Sequence, residues 1–181
     1  LTGKGISYCA TCDGAFYRGK TVAVIGGGNT ALGDAEYLSN LCETVYLIHR
    51  REEFRGTTEA VERLKKRDNV RILLNTVVEE LIGSEGLEAL RILDKETGSG
   101  QQLKVDAAFV AIGQEPDNQA FASLVELDEN GYIRAGEDCK TQATGVFAAG
   151  DCRTKQVRQL TTAAADGAVA AIAAVEYIEE K

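Results

Sequence analysis

A short β-branched run, Thr21–Ile25, stops abruptly at Gly26-Gly27-Gly28, and a helical pattern starts at once. Ala31, Ala35, Leu38 and Leu41 recur at helix-like spacing, after which Thr44–Ile48 is apolar and β-branched again. Strand, glycine turn, helix and strand within roughly 30 residues make a βαβ unit. That unit dictates parallel strands and a right-handed crossover, and the remaining chain must be built around it.

Residues 59–67 read as a second helix. Residues 70–74, 77–82, 87–94, 102–105 and 107–112 read as short strands, separated by polar turns such as Ser84-Glu85-Gly86. Such close spacing predicts an antiparallel meander inserted before the last strand. The single proline, Pro116, then punctuates the chain. Beyond it only residues 132–133 and 146–149 look extended. Residues 161–178 read as an Ala-rich helix weakened by Gly167. The reading is two domains, residues 1–116 and residues 117–181, the second without a complete βαβ unit.

Composition narrows the function. The 181 residues are 44% hydrophobic and 27% charged, a globular balance. A net charge of −8 argues against a nucleic-acid binder working by bulk charge. No apolar run looks long enough for a membrane span, and Leu1–Gly5 lacks the apolar stretch of a signal peptide. The chain contains no Met, so it reads as a processed or truncated piece. Five cysteines, an odd and sparse set, do not make a secreted disulfide scaffold, and a single histidine makes a zinc site poor. A cytoplasmic protein with one reactive dithiol, no nucleic-acid partner and no membrane is the expectation.

Gly26-x-Gly28-x-x-Ala31 fits the dinucleotide fingerprint. The first glycine permits the tight turn, the second lets a pyrophosphate approach, and a small third residue lets the helix pack closely on the strand. The anion sits at the helix N-terminus. An ordinary glycine turn is the competing reading, opposed by the matching strand and helix on either side. At the end of the second strand NAD binders place an acid for the ribose 2′-hydroxyl. This chain places His49-Arg50-Arg51 and then Arg55 there. Guanidinium forks suit a 2′-phosphate, so the residues favour NADPH over NADH. A solvated basic face, partly neutralised by Glu52 and Glu53, is the plainer alternative.

Cys9-Ala10-Thr11-Cys12 has redox spacing, since two intervening residues let the sulfurs bond in a tight turn. Asp13 follows, and a carboxyl beside a leaving thiolate can deliver or accept its proton. Half a zinc knuckle and two inert buried thiols are the competing readings. Cys42, Cys139 and Cys152 read as small buried residues.

The set Cys9-Ala10-Thr11-Cys12-Asp13-Gly14, Gly26–Ala31, His49-Arg50-Arg51-x-x-Phe54-Arg55 and Val146–Asp151, with Arg158-Gln159 ahead of the Ala-rich helix, closely resembles the low-molecular-weight thioredoxin reductases from end to end. The resemblance implies an α/β, Rossmann-like flavoprotein with two dinucleotide-binding domains. Residues 1–116 would be a complete NADPH domain of three-layer β/β/α architecture carrying the dithiol. Residues 117–181 would be the C-terminal part of a split FAD domain. It implies NADPH contacts at Gly26, Gly28, Asn29, Thr30, Ala31, His49, Arg50, Arg51 and Arg55. It implies FAD contacts at Gly150, Asp151, Arg158, Gln159 and Leu160. Cys12 matches the thiol beside the flavin, Cys9 the interchange thiol that attacks thioredoxin, and Asp13 the proton donor. A homodimer is the family's usual state.

Two departures stand out. The family's FAD domain begins ahead of the dithiol, with a glycine fingerprint of its own that is missing here, so the chain alone is expected to bind little FAD and to lack turnover. Leu32-Gly33-Asp34 stands where the family usually has acidic residues after a small apolar one. A flavoprotein serving a peroxiredoxin and a non-catalytic NADPH-binding module are the alternative functions.

Overall fold

The computed structural model describes residues 1–180, and the chain divides into two compact units, Leu1–Gly113 and the residues from Gln114 onward. In the first unit the strands are β1 (Ile6–Ser7), β2 (Thr21–Ile25), β3 (Thr44–Ile48), β4 (Val70–Leu73), β5 (Thr76–Ile82), β6 (Ala89–Asp94), β7 (Gly100–Lys104) and β8 (Ala107–Val110). Its helices are α1 (Ala10–Asp13), α2 (Asn29–Ser39) and α3 (Thr58–Lys65). Strands β1-β8-β2-β3-β4 form one sheet in that order, all parallel, and β5-β6-β7 form an antiparallel meander.

Side chains alternate across a strand, so each parallel strand feeds two cores. Val22 and Val24 of β2, Val45 and Leu47 of β3, and Phe109 of β8 pack against Ala31, Leu32, Ala35 and Leu38 of α2 and Leu64 of α3. Ala23, Ile48 and Ala108 point the other way, onto Leu90 and Ile92 of the meander. The result is a meander layer, a parallel layer and a helix layer, a Rossmann-like α/β arrangement. The near-continuous apolar runs of β2 and β3 are what a sheet covered on both faces requires.

The second unit carries α4 (Leu160–Glu179) and little regular structure besides. The two extended segments expected there reduce to isolated bridges. Ile133 pairs with Leu127 and with Arg153, and Phe147 pairs with Lys140. These are single-residue bridges, two of them at Ile133, and none extends into a ladder. The membrane expectation also needs correcting: α4 is long and apolar enough to cross a bilayer by length and composition alone. Alanines, which look bland residue by residue, supply that apolarity. Leu160, Ile172, Val175 and Ile178 on it are exposed.

The glycines of α2 and its turn differ in what they are for. Gly26 has φ +153°, and a Cβ there would collide with the Ala111 carbonyl. Gly33 lies inside α2, is exposed, and a Cβ there would meet nothing within 4 Å. Nothing in the packing explains it. Gly33→Ala should therefore raise the unfolding free energy by about 0.5–1 kcal/mol, the helix-propensity difference. Gly26→Ala should lower it. Urea titration of both variants checks the contrast.

Candidate functional site

The glycine turn joins β2 to α2, with Gly28 as the helix N-cap. Gly26 and Ala31 are buried, Gly28 is half-buried, and Asn29 and Thr30 are exposed. The segment carrying the arginines is fastened onto this turn at several points. The Arg55 and Gly56 amides both donate to the Gly27 carbonyl, at 2.7 and 3.2 Å. The Thr57 amide donates to Asn29 Oδ1 at 2.9 Å. His49 is 5% exposed, and a Cβ on Gly27 would collide with its ring. Phe54 stacks on the imidazole, with centroids 5.2 Å apart.

Sequence reasoning placed Asn29 and His49 among cofactor contacts; here both side chains brace the loop against the turn. His49 Nε2 lies 3.0 Å from the Glu53 carbonyl, which can only accept, so Nε2 carries the hydrogen. Arg50, Arg51 and Arg55 are exposed, and among the described residues none of the three is in an ion pair. An acidic chain thus leaves three cations unneutralised beside a helix N-terminus, an arrangement suited to an anion.

Burial lowers the His49 pKa from 6.5, and the charges of Arg55, Arg51 and Arg50 push the same way against the hydrogen bond to Glu53. The unfolded chain then takes up the proton first as pH falls. Stability tied to this group is whole above about pH 6.5 and drains away below it. His49 is the chain's only histidine, so its ring signals in a proton NMR titration are unambiguous. They should titrate below pH 6.5, and an imidazole titrating at or above that value would contradict the buried bracing role.

The dithiol lies in the same unit. Cys9 and Cys12 form a disulfide across α1, with Cα atoms 5.3 Å apart. Cys9 is the N-cap, and its sulfur accepts the Cys12 amide at 3.2 Å, with Thr11 Oγ1 at 3.5 Å. Ala10 is 1% exposed and roots the turn in the core it shares with Ala31 and Ala35 of α2. Cys12 is exposed, and Cys9 and Asp13 are half-buried. Tyr8 and Phe16, also exposed, flank them. Ser7 donates to Asp13 Oδ2 at 2.7 Å, a contact that sequence reasoning missed. Its signal was local, a serine two residues before a turn amide. Cys42 and Cys139 are buried, and burial pushes the Cys42 thiol up to about 11, which makes it inert.

In the second unit Gly150 takes φ +83° and opens a short 3-10 turn, Gly150–Cys152. Asp166 of α4 accepts the Gly150 amide, a bidentate Arg153 fork and Lys155 Nζ, all at 2.8–2.9 Å. Asp151 is exposed on the turn that this network fixes. The Arg158 guanidinium lies 3.9 Å over the Tyr132 ring, and its Nε is 3.4 Å from the Asp151 carbonyl. Gln159 and Thr162 form a capping box at the start of α4, where Leu160 is exposed. An exposed carboxylate beside the N-terminus of a 20-residue helix fits a polyhydroxylated, anion-bearing group such as a flavin nucleotide.

The pyridine nucleotide-disulphide oxidoreductase family matches residues 1–167. The chain is 47% identical over 171 residues to the thioredoxin reductase of Mycoplasma genitalium, covering 94% of this chain and 54% of that protein. It is 42% identical over 186 residues to the thioredoxin reductase of Peptoclostridium litorale, covering 99% and 59%. The crystal structure of thioredoxin reductase from Streptococcus pyogenes MGAS5005 superposes with a TM-score of 0.92 at 34% identity, over 98% of this chain and 58% of that one. The chain thus spans between half and three-fifths of the length of these relatives. It belongs to the pyridine nucleotide-disulphide oxidoreductase family, and the three relatives named above are thioredoxin reductases.

Proposed function

We propose that this chain carries the NADPH site and the redox disulfide of a thioredoxin-disulfide reductase. The observation that carries the reading is a disulfide and a cationic loop, clamped to a dinucleotide turn, within one compact unit. Gly26, Gly28, Thr30 and Ala31 shape the pyrophosphate site. Arg50, Arg51 and Arg55 recognise the 2′-phosphate, while Asn29 and His49 hold the loop that presents them. FAD supplies the relay of an electron pair from the nicotinamide to the disulfide. Gly150, Asp151, Arg158, Gln159 and Leu160 are this chain's contacts to it, and residues 117–181 belong to the FAD domain.

In the reduced chain the Cys9 thiolate attacks a thioredoxin sulfur. A Cys9–thioredoxin disulfide forms, the thioredoxin disulfide breaks, and its second sulfur leaves as a thiolate. Cys12 then attacks Cys9. The internal disulfide re-forms, and two electrons have passed to thioredoxin. The proton from the Cys12 thiol moves through Asp13 to the departing sulfur. Tyr8 and Phe16 give the site an apolar rim for a protein substrate. The setting we assign is cytoplasmic, as part of a homodimer.

Two experiments test the reading. Arg50→Ala combined with Arg51→Ala should weaken NADPH binding by about 10- to 100-fold, since charge-assisted hydrogen bonds contribute roughly 1.5–3 kcal/mol each before exposure reduces them. NADH binding should hardly change, and calorimetric titration of both nucleotides separates the outcomes. Equal weakening of both would make the arginines structural. Cys12→Ser should trap a one-to-one mixed disulfide with oxidised thioredoxin by intact mass, while Cys9→Ser should not. Trapping by a peroxiredoxin instead of thioredoxin would favour the alternative partner.

A further inference from the structure

Ser7 lies between the sheet and the dithiol. It ends β1, where it pairs in register with Phe109 of β8, and it is 4% exposed. Its hydroxyl oxygen is 2.7 Å from Asp13 Oδ2 and 3.1 Å from the Cys9 amide nitrogen, with the Cys9 carbonyl at 3.3 Å. One hydroxyl has one hydrogen to give. An ionised carboxylate only accepts and is the nearer of the two acceptors, so that hydrogen goes to Asp13. A lone pair of the same oxygen receives the Cys9 amide. The single hydroxyl therefore fixes the carboxylate against the backbone of the cysteine whose sulfur reacts.

We propose that Ser7 is the positioning residue for proton transfer at the dithiol, acting through Asp13. The proposal rests on the reading of Asp13 as the proton carrier. In the resolving step the Cys12 thiol gives its proton to Asp13 as its sulfur bonds to Cys9. The bond from Cys9 to the substrate sulfur breaks, and the departing thiolate takes the proton from Asp13. Ser7 occupies Oδ2, which leaves Oδ1 as the oxygen that carries the proton. Without the hydroxyl the carboxylate loses the donor that fixes its orientation, and a small misplacement of a catalytic group costs much of its effect. The strand pairing of Ser7 makes the position rigid, unlike that of a loop serine.

The test is a double-mutant cycle on the 181-residue chain. Each variant is reduced, freed of reductant and mixed with glutathione disulfide. Re-formation of the Cys9–Cys12 disulfide is followed by acid quench, alkylation and intact mass. Ser7→Ala should slow the reaction by about 10-fold in the native background and by less than about 2-fold in the Asp13→Asn background. Ser7→Thr, which keeps the hydroxyl, should recover most of the rate. Equal slowing by Ser7→Ala in both backgrounds would mark a merely structural serine and overturn the proposal. So would an unchanged rate for Ser7→Ala while Asp13→Asn is slow, an outcome that leaves the reading of Asp13 intact. An Asp13→Asn variant as fast as the native chain would remove that reading, and the role of Ser7 with it. Urea midpoints of the variants separate slow chemistry from poor folding.

Discussion

The carbonyl of Gly27 accepts two amides, from Arg55 and Gly56, and the basic loop depends on that contact. A loop with exposed arginines at positions 50, 51 and 55 repels itself and has little apolar surface to bury. Backbone hydrogen bonds to a glycine turn solve this without using the arginine side chains. The buried imidazole beneath Gly27 fills the space that any Cβ would need, so the loop and the turn exclude all alternatives to glycine at that point. The backbone thereby fixes the loop, and the exposed cations stay available for the ligand proposed above.

The second unit solves a related problem with charge. Asp166 and Arg153 are buried, and a buried pair is a net gain only if its remaining lone pairs and protons are satisfied. They are: the carboxylate receives Arg153, Lys155 and the Gly150 amide, and the guanidinium also reaches the Ala135 and Thr154 carbonyls. Arg153 and then Lys155 hold the Asp166 carboxyl well below the usual carboxylate range. Its folded pKa is depressed, so its contribution is present above the unfolded value of about 4 and is lost only in strong acid. The clamp on the Gly150 turn is thus lost at lower pH than the stability tied to His49. The two units answer acidification at different pH values because one is braced by a neutral imidazole and the other by an ion pair.

Much of this was legible because period and punctuation suffice for long elements. The βαβ unit, the second helix and the meander follow from apolar spacing and glycine turns. The spacing of Cys9 and Cys12 permitted their pairing but left a half zinc knuckle and inert thiols open, and the folded turn decides for the disulfide. Strand β1 was not legible: two residues, Ile6 and Ser7, carry no period, and only the β8 edge makes them a strand. Ser7 was therefore invisible as a fixed point. The bracing roles of His49 and Asn29 were hidden for another reason. A polar residue beside a ligand motif looks the same in sequence whether it faces the ligand or the protein. Burial decides, and burial is a property of the folded loop. Tyr132 under Arg158, and Arg153 against Asp166, join positions separated by 26 and 13 residues with no pattern between them.

The surroundings of the Cys9 sulfur follow from the same local geometry. A residue that caps a helix offers its side chain to the amide three positions on. With two residues between the cysteines, that amide belongs to Cys12, and it donates to the Cys9 sulfur. Thr11 adds its hydroxyl near the same atom. When the disulfide opens, Cys9 already has donors in place for a thiolate, and hydrogen bonds to a charged group contribute about 1.5–3 kcal/mol each. The spacing that permits the bond therefore also places donors at the first sulfur, as the role proposed for Cys9 requires. Ser7 and Asp13, hydrogen-bonded at 2.7 Å, are proposed to serve the other half of the problem, the proton. The proposed nucleophile and proton carrier thus lie within seven residues, Ser7 to Asp13, held by one short strand and a single helical turn.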